Sequence, residues 1–137
     1  MIAANELRLG NYIHHKELGV VKVISISSKI GDAEPVFVEC LNDGLDYDFN
    51  LDEDLTSITL TEEIISKCGF EKQNRDGEIY FLNGDCFELH QFNQYGHFSY
   101  TCGDNLKGNF VSTRIDSLHQ LQNLYFALTG KELEVKI

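Results

Sequence analysis

Tryptophan is absent from the chain, and proline and methionine each occur once. A single proline leaves no room for a proline-rich linker or a polyproline ligand motif. No apolar run approaches the roughly 20 residues that cross a bilayer as a helix. The first residues, MIAANELRLGNY, lack a basic start followed by an apolar stretch, so no secretory signal is read there and a cytoplasmic location is expected. Four cysteines stand at positions 40, 68, 86 and 102, and none forms a C-x-x-C pair. That spacing argues against a zinc ribbon or a thioredoxin-type centre, and without a secretion signal the thiols are expected to stay reduced. Phosphate-cradling glycine loops, G-x-S-x-G and H-E-x-x-H are also missing, so no catalytic motif and no cofactor is expected.

One absence is local. No lysine or arginine lies between Lys29 and Lys67, an interval that holds eleven of the 22 acids. The rest of the chain balances eleven acids against eleven bases, so the whole net charge of −11 resides in this interval. Such a region repels phosphate backbones, which argues against direct nucleic-acid binding through it. It suits a basic protein partner, and Asp46, Asp48, Asp52 and Asp54 are its candidate contacts. An EF-hand is excluded. Asp46-x-Asp48-x-Asn50 fits the first ligand positions, but Leu51 stands where the loop needs glycine and Ser57 where it needs a bidentate carboxylate. The alternation of Asp46, Asp48 and Asn50 with Leu45, Tyr47, Phe49 and Leu51 reads instead as a strand with one wet face.

The 137 residues, 42% of them apolar, suffice for one packed domain, or for two lobes, 1–60 and 61–137, that share an interface. The expected class is α+β: a small curled, SH3-like antiparallel sheet, then a helix, an antiparallel sheet and a C-terminal helix. Strands are expected from Tyr12, over 20–27 with Val21, Val23 and Ser25 on one face, over 36–41 and 45–50, and in a short run over 57–60. Asn42-Asp43-Gly44 marks a tight hairpin turn. Thr61 caps a helix that stops at Gly69. Further strands are expected near 79–82, 86–91, 97–101 and 110–112.

The last helix carries the strongest pattern, with Ser117 and Gln120 as a capping box and Gly130 as its stop. At about 100° per residue, Leu118, Leu121, Leu124, Tyr125 and Leu128 share an arc that packs on the sheet. Phe126 lies off that arc, beside His119, Gln122 and Asn123. Either a second element, such as a terminal strand over 132–137, covers this face, or the four residues line a partner groove.

One enzyme-like cluster stands out. Cys86, Glu88 and His90 fall on one face of a strand, a thiolate, carboxylate and imidazole that suit a metal or a cysteine nucleophile. Same-face neighbours sit roughly 7 Å apart, which is long for ligating one ion.

Three blocks together, ELRLGNYI over 6–13, ITLTEEIISKCGFEK over 58–72 and HQLQNLYFALTGKEL over 119–133, cover 38 residues. They resemble a family of small proteins without assigned activity, found in gut-bacterial genomes, prophages and mobile elements. The resemblance implies a cytoplasmic accessory protein of a mobile element and assigns no catalytic residue. The leading expectation is therefore a non-enzymatic interaction or accessory protein. The alternatives are an acidic nucleic-acid mimic that occupies a host DNA-binding protein, and a small metal-dependent or cysteine enzyme.

Overall fold

A computed structural model describes residues 2–28, 36–51, 54–75, 77–83, 87–91, 97–104 and 109–137. The chain starts with a 3-10 turn at Ala4–Glu6 and then builds five strands: β1 (Tyr12–His15), β2 (Gly19–Ser28), β3 (Val36–Asn42), β4 (Leu45–Asn50) and β5 (Leu55–Thr56). Their spatial order is β4-β3-β2-β1-β5, an antiparallel meander whose fifth strand returns beside the first, as in SH3-like sheets. The hairpin at Asn42 and Leu45 closes through Asp43 (φ 48°) and Gly44 (φ 80°). Positive φ at both central residues is the turn geometry whose twist matches paired strands, and Asp-Gly tolerates it.

The sheet is curled. His15 on β1 stacks on Phe49 of β4 with ring centroids 4.1 Å apart, although two strands lie between them in the sheet order. Strands about 4.8 Å apart would hold those rings near 14 Å in a flat sheet. A register shift between Val23 and Ser25 contributes to the bend. It also corrects the expected faces: Ser25 moves outward opposite Glu39, and Ile26 turns inward opposite buried Val38. The concave side holds one apolar cluster, with Ile2, Ile13, Val21, Val23, Val38, Cys40, Leu51 and Leu55.

Helix α1 (Glu62–Lys67) starts where Thr61 Oγ1 accepts the Ile64 N–H at 3.2 Å, and Gly69 follows it with φ 82°. Strands β6 (Glu71–Arg75), β7 (Glu78–Asn83), β8 (Phe87–Gln91), β9 (Phe98–Asp104) and β10 (Asn109–Ile115) then form a second antiparallel meander. Helix α2 (Leu118–Thr129) closes the fold and stops at Gly130 in the left-handed conformation. Phe81, Phe87, Phe98, Leu118, Leu121 and Tyr125 anchor the second apolar cluster. Edge-to-face and tilted ring contacts join Phe70, Phe87 and Tyr125.

Several expectations are corrected. Strand β6 was not expected, because Glu71-Lys72-Gln73-Asn74-Arg75 is exposed throughout and has no apolar face to reveal it. Residues 57–60 form no strand beyond a single bridge between Thr59 and Ser117; the paired stretch is Leu55–Thr56. The tail over 132–137 is not a strand either. It is held by buried Leu133 and by one backbone bond from Lys136 N–H to the Lys67 carbonyl, 2.9 Å. Ser117 caps α2 by position but accepts no side-chain bond, and Gln120 Oε1 accepts the Asp116 N–H instead. No helix among the described residues is long and apolar enough to cross a membrane.

Candidate functional site

The outer face of β3 and β4 is where the acidic interval becomes a surface. Pairing places Glu39 directly opposite Asp48, and Asp46 opposite Leu41, with both aspartates exposed. Among the described residues, neither Glu39, Asp46 nor Asp48 has a cationic partner. The hairpin fixes more than register. Asn42 and Leu45 close the two-residue turn as a hydrogen-bonded pair, so the alternation along the ladder makes Glu39 and Asp48 a non-hydrogen-bonded pair. Such pairs bring side chains closest together, and like charges there are destabilising. Their field reaches inward: burial first, then Asp48 and Glu39, push the thiol of free Cys40 up to about 11. Burial pushes the Cys68 thiol up to about 12, so both are inert thiols within the apolar clusters.

The other acidic candidates separate from this face. Asp54 is bonded to Lys16 Nζ at 2.5 Å and lies 4.0 Å from His15 Nε2, beside β1 and β5. Asp52 lies outside the described residues.

The helix face that sequence left as either covered or a partner groove is an internal seam. His119 and Gln122 are buried, and the N-terminal segment covers them rather than the tail. Gln122 Oε1 accepts the Tyr12 N–H at 2.9 Å while its Nε2 donates to the Gly10 carbonyl at 3.1 Å. Asn123 Nδ2 donates to the Glu6 carbonyl at 2.7 Å, and its Oδ1 accepts from Asn11 Nδ2 at 2.9 Å. Phe126 remains 39% exposed beneath the Arg8 guanidinium, 4.2 Å from the ring centroid. Arg8 is in turn paired with Glu132, which holds that carboxyl below its usual range. The buried face of α2 is thus rotated by about 80° from the leucine arc, at about 100° per residue, toward His119 and Gln122. Leu128, expected inside, is 51% exposed.

Beside this seam, a cleft of about 510 Å³ opens at the start of α2, walled by Ile2, Glu6, His97, Arg114, Ser117 and His119. His119 Nε2 lies 3.5 Å from a Glu6 carboxylate oxygen, too far for a good hydrogen bond, and its Nδ1 and Ser117 Oγ have no partner among the described residues. Burial pushes the imidazole below its ordinary pKa despite Glu6, so it is neutral at pH 7. Arg114 at the rim is held by Asp116 at 2.6 Å. Nothing in the periodicity of residues 2–11 announced these contacts, because that segment has no repeating apolar pattern.

The strand cluster of Glu88 and His90 is engaged across the second sheet. Arg75 donates to Glu88 at 2.9 Å and lies over the Tyr80 ring; Tyr80 stacks on His90 at 4.6 Å; Glu78 accepts from the Tyr80 hydroxyl and sits 3.4 Å from His90 Nε2. The bond to Glu78 raises the Tyr80 phenol. Cys86 lies outside the described residues, and no group of three ligating side chains forms a metal cluster among the described ones.

No family model, no curated protein and no solved structure matches this chain.

Proposed function

We propose that this chain is a non-enzymatic interaction protein that docks a basic protein partner on the outer face of β3 and β4. One observation carries the reading. Glu39, Asp46 and Asp48 share the outer face of β3 and β4, none of them is ion-paired with a cation among the described residues, and Glu39 and Asp48 are held in direct opposition. A fold keeps such repulsion at a cost, and a bound cationic partner relieves it. Glu88 and His90 offer less to an enzyme, since other side chains already engage both. The resemblance to proteins of prophages and mobile elements supports an accessory role, carried out in the cytoplasm.

The test is affinity capture from a bacterial host extract, quantified by mass spectrometry, with the native chain and with a Glu39→Gln, Asp46→Asn, Asp48→Asn variant. Asp54 is left alone because Lys16 already neutralises it. The variant is expected to lose the captured protein, and unchanged capture removes the acidic face from the account. Added duplex DNA sorts the two forms of the reading. A charge mimic is displaced by DNA and weakens steeply with salt, while an accessory contact to a non-DNA-binding protein is indifferent to DNA.

A further inference from the structure

The acidic face belongs to the last strand of its sheet, and that edge decides how a partner approaches. Among the described residues no strand lies outside β4. The hairpin register points the backbone N–H and C=O groups of Leu45 and Tyr47 toward β3. Those of Asp46 and Asp48 therefore point away from the sheet, a short row of donors and acceptors with no ladder partner among the described residues. Their side chains stand on the outer face, while Leu45, 60% exposed, and half-buried Tyr47 present the opposite face.

The other edges differ. Strand β5 has two residues. Strand β6 carries two cations that are already paired, Lys72 with Glu62 and Arg75 with Glu88, and such charges guard an edge. Strand β10, the remaining edge, carries Arg114 already paired with Asp116. Edge β4 combines an outward backbone row with two exposed acids, Asp46 and Asp48, that have no cationic partner among the described residues.

We infer that β4 receives an extended segment of the partner as an added strand, with lysine or arginine at alternate positions facing Asp46 and Asp48. This inference rests on the docking face proposed above and adds the conformation and sequence pattern of its occupant. Alternation follows from the pleat. Residues facing Asp46 and Asp48 fall on one side of the added strand roughly 7 Å apart, and the intervening residue falls beside Leu45 and Tyr47, where an apolar side chain fits. A cation there sits next to Asp48 on the side away from Glu39, so the added strand also answers the like-charge pair.

The test uses the full chain and two capped peptides of equal composition and charge, Thr-Lys-Val-Lys-Thr and Lys-Lys-Thr-Val-Thr. Only the first places both lysines on one face of a strand. Binding is followed by NMR titration, and amide hydrogen exchange is measured at saturation. The first peptide is expected to bind about tenfold tighter than the second and to slow exchange at the Asp46 and Asp48 amides by about tenfold or more, as new ladder bonds form. Equal binding of both peptides, or saturation without protection at those amides, overturns strand addition. If that binding is still lost in the Glu39→Gln, Asp46→Asn, Asp48→Asn variant, the acidic docking face stands without it. Absence of binding by either peptide, or binding indifferent to the triple variant, overturns the strand and the docking face together.

Discussion

Two five-stranded antiparallel meanders are built from one chain, and they treat charge in opposite ways. On the second sheet, Arg75, Glu78, Tyr80, Glu88 and His90 form a connected set of ion pairs and stacked rings. On the first, Glu39, Asp46 and Asp48 face outward, and none of them is ion-paired with a cation among the described residues. The strand geometry is the same, so the difference lies in composition: the interval without lysine or arginine supplies β3 and β4 with acids only. Charge on the second sheet helps hold strands in register. On the first it opposes the fold locally, which gives a physical reason to look there for a partner.

The largest expected effect concerns what joins the two sheets. Leu121 is fully buried on α2, and Leu121→Ala is expected to cost about 2–5 kcal/mol in urea unfolding. Gln122→Ala leaves the Tyr12 N–H and the Gly10 carbonyl without their partner, for about 1–3 kcal/mol. Amide exchange at residue 12 should rise with it, and an unchanged rate there means α2 does not hold the N-terminal segment.

The pH dependence of the same seam has a definite sign. Burial lowers the His119 pKa, so the unfolded chain binds that proton more readily than the native one. Its contribution is complete above the ordinary histidine value of about 6.5 and is lost as pH falls from there toward the lowered native value. Unfolding midpoints at pH 7.5 and 5.5 should therefore differ more in the native chain than in His119→Gln.

Much of this architecture was legible because local chemistry declared it. Asn42-Asp43-Gly44, Gly69 and Gly130 announced the hairpin and both helix stops, since each needs a backbone conformation that few residues accept. Strand β6 stayed hidden, because periodicity reports burial and none of its residues is buried. The leucine arc of α2 misled for a related reason. Periodicity shows which side chains share a face but not what covers them, and polar His119 and Gln122 are buried by contacts to residues 110 or more positions away. The acidic candidates divided likewise. Sequence grouped Asp46, Asp48, Asp52 and Asp54, and only pairing showed that Lys16 takes Asp54 and that Glu39, two strand positions before Leu41, completes the face.

The smallest effects test the contrast between the sheets most directly, because they differ in sign. Asp48→Asn removes one member of the opposed pair, and Glu88→Gln removes the partner of Arg75. Both are isosteric changes on outer sheet faces, measured side by side by urea unfolding at low salt. Asp48→Asn is expected to stabilise the chain by up to about 1 kcal/mol, and Glu88→Gln to destabilise it by about 0.2–1 kcal/mol. Loss of stability in Asp48→Asn would show that Asp48 already has a favourable partner within the chain, and would contradict the claim that this face is left for another molecule.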